Sequence, residues 1–244
     1  MATLEENINR VVADFDSIKS AIESRNIEVG NAKTSEYADM IRQIKDDSVL
    51  QALLNKSITE VTISGDTGSI GNYAFYACKN LSKVEILEGV TEICGDAFNE
   101  CRELNKISFP SSLRNISGGA TFAFCGFTEI VLPEGVQSLG NYTFRSCGNL
   151  TKVYLPSSLT SVGIRIFQYC IKITEIVLGD NFNCNLRGLI DSTNLTVQSM
   201  VNMFTALADR TGQDSYTLEL GSTNLAKLTV EQKAIAINKN WILA

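Results

Sequence analysis

IGNYAFYACKNLSKVEILEGVTE, residues 70–92, is one unit of a pattern that recurs along the chain. Ile70, Ile93, Ile116, Leu139 and Val162 stand 23 residues apart, and each opens a similar unit. Counting each opening residue as position 1, position 6 reads Phe75, Phe98, Thr121, Phe144, Phe167, and position 9 reads Cys78, Cys101, Phe124, Cys147, Cys170. Position 12 reads Leu81, Leu104, Phe127, Leu150, Ile173, and position 15 reads Val84, Ile107, Ile130, Val153, Ile176. Position 17 closes the apolar set with Ile86, Phe109, Leu132, Leu155 and Leu178. A fixed period of this length marks a repeat architecture, in which no unit buries a core alone and stacking supplies one. In the third unit Phe122 and Cys125 fall one place late and Phe127 restores the register. That predicts a one-residue bulge followed by a compensating deletion. Ile58, Val61 and Ile63 form a preceding half-unit.

Within a unit, the apolar residues at positions 15 and 17 predict a strand with one buried face. The three-residue spacing around Ala-Phe-x-x-Cys suits a short helical or 3₁₀ turn. Stacked strands are expected to form a parallel ladder over a continuous apolar column. Pro110, Pro133 and Pro156 all occupy position 18, where a missing N–H stops the strand. The identical tetrapeptides at 110–113 and 156–159 read as tight turns.

The remaining composition mainly excludes. The chain has 244 residues, no histidine, 21 Lys and Arg, and 27 Asp and Glu, for a formal charge of −6. Without histidine there is no Ser-His-Asp triad, no Cys-His dyad and no His-ligated zinc. The acidic balance argues against nucleic acid as a partner. No apolar run is long enough to insert in a membrane, and MATLEENINR does not read as a secretion signal. Seven cysteines show no C-x-x-C spacing. Cys78, Cys101, Cys125, Cys147 and Cys170 share one column and read as buried packing residues rather than a metal or disulfide ladder. A disulfide involving Cys94 or Cys184 stays open. Asp96, Glu100, Glu103, Asp180 and Asp191 show no spacing that pairs two carboxylates for catalysis. The sequence thus implies no enzyme, no cofactor and no metal, with a carbohydrate-active enzyme as the remote alternative.

The pattern I-G-x-x-A-F-x-x-C-x-x-L-x-x-I-x-I-P, carried by Ile70–Leu81 and by Leu150–Pro156, resembles the BspA-like leucine-rich repeat family. The resemblance implies a right-handed leucine-rich α/β solenoid. It also implies a place on bacterial surface or extracellular proteins, in adhesion and protein binding. The solenoid is assigned to residues 57–185.

Residues 1–56 lack the period and form an N-terminal helical segment. Leu4, Ile8, Val11, Phe15, Ile18 and Ile22 make a heptad stripe, opened by a Thr3/Glu6 capping box. A second helix begins at Thr34 or Ser35. The stripe serves either an oligomer seam through residues 1–25 or packing within the chain. Residues 1–8, 16–19 and 34–41 resemble the start of prophage tail-associated proteins, which implies a virion-associated or receptor-binding component as the alternative function. Residues 186–244 are expected to form a C-terminal α/β capping module. It comprises a helix from Thr196 to Asp209 ended by Gly212, a strand at 216–220, a helix capped by Thr229 and Gln232, a left-handed Asn240 and a final strand at 241–243.

The binding candidates lie on the solvent face of the ladder. Position 14 presents Lys83, Lys106, Glu129, Lys152 and Glu175, and position 16 presents Glu85, Ser108, Val131, Tyr154 and Val177. Alternating charges on the third to fifth units predict a cross-strand ion-pair ladder beside an apolar Val131–Tyr154–Val177 stripe. The expected partner is a protein or glycan on a cell surface, with Tyr154 at the centre of the contact.

Overall fold

The computed structural model describes residues 58–190 and 194–244. The N-terminal helices, their capping box and the prophage-like motifs all lie outside the described residues.

The 23-residue period becomes a strand register. Strands β1 (Glu60–Ile63), β3 (Lys83–Ile86) and β5 (Lys106–Ser108) pair in parallel, Glu60 beside Lys83 and Lys83 beside Lys106. Strands β7 (Glu129–Val131), β9 (Lys152–Leu155) and β11 (Glu175–Leu178) do the same. A second ladder runs through position 1. It joins β2 (Ser69–Ile70), β4 (Glu92–Ile93), β6 (Asn115–Gly119), β8 (Ser138–Asn141) and β10 (Ser161–Val162) without a gap. The chain is thus a repeat protein of parallel sheets with few helices.

The position-14 to position-17 ladder is not continuous: β5 and β7 do not pair. The third unit supplies the reason at both places where its spacing departs. The register of β6 against β8 shifts between Ile116 and Gly119, which is the bulge. The deletion falls at Cys125-Gly126-Phe127, where Gly126 donates to the Leu104 carbonyl at 3.0 Å. A Cβ on Gly126 would sit 2.5 Å from the Arg102 carbonyl oxygen. The shortened turn draws backbone against backbone, and only glycine fits.

The turn around Ala-Phe-x-x-Cys is neither α nor 3₁₀. Positions 4 and 8 have positive φ in successive units, as in Tyr73 and Ala77, Asp96 and Glu100, Tyr142 and Ser146, Arg165 and Tyr169. Alternate N–H groups between them reach the next unit: Tyr73 to Gly95 O, Phe75 to Ala97 O, Ala77 to Asn99 O. A helix would spend those donors inside its own unit. The stack instead uses them as a third seam between coils.

The core follows the repeat columns. Phe75, Phe98, Phe122, Phe144 and Phe167 stack face to face with centroids 5.0, 5.3, 5.6 and 5.6 Å apart. The cysteine column does more than fill space. Cys101 donates to Phe75 O at 3.0 Å, Cys125 to Phe98 O, Cys147 to Phe122 O and Cys170 to Phe144 O. Each thiol adds a second donor to a carbonyl of the preceding coil that already accepts a backbone N–H within its own turn, as Phe75 O does from Cys78 N–H. None of the seven cysteines forms a disulfide. Burial pushes the Cys125 and Cys147 thiols well above their ordinary range, and that of Cys184 to about 11.

The proline turns form as expected, with Leu113 N–H donating to Pro110 O and Leu159 N–H to Pro156 O. Their serines staple coils. Ser111 and Ser112 N–H donate to the Glu88 carboxylate at 2.7 and 3.0 Å, and Ser112 Oγ donates to Val90 O.

At the C-terminal end, helix α1 (Val197–Ala206) opens on Thr196, whose hydroxyl accepts from Ser199 N–H, and buries Met200, Met203 and Phe204. It ends before the expected Asp209, and Gly212 plays no part in stopping it. Leu207 turns extended and bridges Phe182, while Lys239 Nζ donates to the carbonyls of Phe204, Thr205 and Leu207. One ammonium so satisfies three acceptors at a helix C-terminus. Ser199 stands 23 residues after Ile176, and its hydroxyl accepts from Ile176 N–H at 2.9 Å and donates to Ile176 O at 3.3 Å. The helix occupies the place of the next strand and closes the open edge of β11. Beyond it, β12 (Tyr216–Leu218) pairs in parallel with β13 (Trp241–Leu243). A short helix α2 (Ser222–Leu225) precedes α3 (Val230–Ile237), which carries the Thr229/Gln232 capping box. Asn240 is left-handed.

Candidate binding face

The parallel register places the nine sequence-derived residues on the solvent side of strands whose other face is core. Val84 and Ile86, and likewise Val153 and Leu155, point inward, so positions 14 and 16 must point out. The gap between β5 and β7 divides the nine into two groups rather than one face.

The first group, Lys83, Glu85 and Lys106 on β3 and β5, is polar. Lys83 Nζ lies 3.3 Å from Glu60 Oε2, and Glu85 accepts from the Thr62 hydroxyl at 3.3 Å. Lys106 stays exposed. These are solvated surface contacts, worth little each. The missing strand pairing also separates Lys106 from Glu129.

The second group occupies β7, β9 and β11. Glu129, Lys152 and Glu175 are register partners, as are Val131, Tyr154 and Val177. Lys152 Nζ lies 3.0 Å from Glu175 Oε2 and 4.9 Å from the Tyr154 ring centroid. Contact with Tyr154, then with Glu175, raises the Lys152 ammonium pKa above its ordinary value. The charge ladder is therefore a single ion pair laid over a tyrosine. It fixes the Tyr154 ring in place without covering the stripe: Val131 is 56% exposed, with Tyr154 and Val177 half-buried beside it. The result is a flat, preformed patch of one aromatic and two β-branched side chains, flanked by an anchored cation.

Among the described residues no group of three or more Cys, Asp and Glu side chains is placed to hold a metal ion. Asp96 accepts from the Asn99 amide at 2.7 Å, away from the ladder.

A family model for the BspA-type leucine-rich repeat region matches six copies over residues 50–120 and 118–241. The chain belongs to the BspA-type leucine-rich repeat family. Among solved structures, this BspA-type chain is similar to a T. pallidum leucine-rich repeat protein, at 23% identity over 77% of this chain and 79% of that one, TM-score 0.51. A Bacteroides ovatus leucine-rich repeat protein is 26% identical over 68% of this chain, TM-score 0.50, and one from Eubacterium ventriosum is 22% identical over 57%, TM-score 0.49. The BspA-type chain covers 46% and 37% of those last two proteins. No curated protein sequence matches it. Among the described residues no helix is long and apolar enough to cross a membrane.

Sequence reasoning missed one group of side chains, of which Tyr169 is exposed and Tyr142 and Arg145 are half-buried. Tyr142, Arg145 and Tyr169 sit at positions 4, 7 and 8, on the turn side of the stack. Arg145 Cζ lies 5.7 Å from both tyrosine ring centroids. The signal for it in the sequence is the absence of acidic residues from 141–149 and 163–172.

Proposed function

We propose that this chain is a non-enzymatic interaction scaffold of bacterial surface type that binds a protein or glycan through the outer face of β7, β9 and β11. The observation that carries the reading is the Val131–Tyr154–Val177 stripe with Lys152 and Glu175 locked beside it. A rigid aromatic in a pre-ordered surround loses little entropy on binding, and tyrosine is enriched among residues that dominate interfaces. The family supports a protein as the first choice of partner, since leucine-rich repeat proteins generally bind other proteins. The polar group on β3 and β5 lies across the gap and is not the centre of the contact. Residues 186–244 act as the cap that stops the stack from adding further strands, a role supported by Ser199 closing the β11 edge.

The test is capture on an array of host matrix proteins and bacterial surface glycans. Tyr154→Ala with Val131→Ser should weaken capture at least about tenfold, the loss typical of a central aromatic anchor. Undiminished capture by the folded double variant rules this face out. The virion-associated alternative rests on residues 1–41, outside the described residues. Trimers that dissociate when residues 1–25 are removed would favour it.

A further inference from the structure

The turn side of the fourth to sixth coils carries a basic, apolar patch that the ladder face does not explain. Segments 141–149 and 163–172 contain Arg145, Arg165 and Lys172 and no Asp or Glu, in a chain of charge −6, and Arg187 opens the next turn four residues before Asp191. The corresponding turn of the second coil, 95–103, instead carries Asp96, Glu100 and Glu103, while that of the first, 72–80, has Lys79 and no acid. The two segments and the Arg187 turn are neighbours. Tyr142 N–H donates to Ile164 O, Ser146 N–H to Gln168 O, and a Cβ on Gly188 would meet the Arg165 Cα at 2.5 Å.

Among the described residues none of the four cations makes an ion pair. Arg145 is held by two tyrosine rings, and its Nε is buried without a hydrogen-bond partner. Lys172 donates to the Asn149 amide oxygen. Glu219 accepts from the Gly188 N–H at 2.7 Å and pairs with none of them. Around these cations Ile164, Tyr169, Ile171 and Ile190 are each about half exposed, at 48, 52, 57 and 52%. Arginine, tyrosine and aliphatics without acids make up the composition of a protein interface core. Tyr142 and Tyr169 also hold the left-handed backbone that bulky residues avoid, so their side chains are kept there at a conformational cost.

We propose that this patch docks the acidic amphipathic segment at residues 4–23 of the same chain. That segment has the matching chemistry. It carries the apolar stripe Leu4 to Ile22, with Glu5, Glu6, Asp14, Asp16 and Glu23 against only Arg10 and Lys19. Its tether is long enough. Residues 24–57 can span roughly 110 Å extended, and the fifth coil lies about 20 Å along the stack from the first. The docking is independent of ligand binding on the ladder face.

The test uses the full chain with photoreactive benzoylphenylalanine at Ile171, irradiated at micromolar concentration. The expected product is a monomer-sized species cross-linked to a residue between 4 and 23, lost in Arg165→Glu/Lys172→Glu. Cross-links that join only two chains, or that avoid residues 4–23, overturn the proposal. As a second reading, amide exchange over residues 4–23 should speed up about tenfold in the same charge-reversal variant, the loss of two surface ion pairs. Unchanged exchange overturns it as well.

Discussion

Replacing Phe144 by Ala tests whether the stack has one continuous core. Phe144 is fully buried, and its ring lies 5.6 Å from Phe122 on one side and from Phe167 on the other. Truncating a buried phenylalanine costs about 3–5 kcal/mol in transfer and cavity terms. Each lost ring contact adds roughly 0.5 kcal/mol or more, so the expected loss is about 4–6 kcal/mol. In a chain of this size that is roughly 10–20 °C in melting temperature. Phe75, with Phe98 at 5.0 Å as its stacked partner among the described residues, should cost about 2–4 kcal/mol when truncated. Urea unfolding followed by far-UV circular dichroism measures both. Trp241, the one tryptophan and buried in β13, reports the far end of the molecule by fluorescence. A Phe144→Ala loss below about 1.5 kcal/mol, or no larger than that of Phe75→Ala, would refute a shared column.

Further outcomes follow from the same geometry. Gly126→Ala forces a Cβ to 2.5 Å from the Arg102 carbonyl and should cost about 1–3 kcal/mol by thermal melting, with an unchanged melt contradicting the shortened turn. Ellman's reagent at pH 8 should titrate one accessible thiol, Cys94, in the native protein and seven after denaturation; rapid reaction of the column would contradict burial. Lys239→Met strips three carbonyl partners at the end of α1 and should destabilise by about 1.5–3 kcal/mol in chemical unfolding. The Glu88 carboxyl pKa is lowered, chiefly by the Ser111 N–H and then by the Ser111 hydroxyl and Ser112. Its contribution is therefore present above the ordinary carboxylate pKa and fades as pH falls through the lowered folded value. Glu88→Gln should flatten that acid limb in a pH series of melts.

The columns that face inward were legible because each imposes the same residue type every 23 positions. The bulge and deletion of the third unit were legible too, from Phe122, Cys125 and Phe127. Their consequence was not, because the break between β5 and β7 depends on how closely the Gly126 backbone meets Arg102. The left-handed positions escaped notice since Tyr73, Phe124, Tyr142 and Tyr169 occupy them where glycine or asparagine is usual. Helix α1 was foreseen from its apolar spacing, but its use as a substitute strand was not. That role rests on Thr196 N–H donating to Thr174 O and on the Ser199 hydroxyl, whose 23-residue distance from Ile176 carries no hydrophobic signal. The candidate face was found as two columns. Only the register showed that Lys152 pairs with Glu175 and lies on Tyr154.

We propose that the outer face of β7, β9 and β11, and not that of β1, β3 and β5, meets the partner. The most direct measurement is affinity for one captured ligand, taken with two matched variants in the full chain: Tyr154→Ala/Val131→Ser on β7 and β9, and Lys83→Ala/Glu85→Ala on β3. The expected loss is about tenfold or more for the first pair and less than about threefold for the second. Equal affinities for both variants, or a larger loss from the β3 pair, would contradict it.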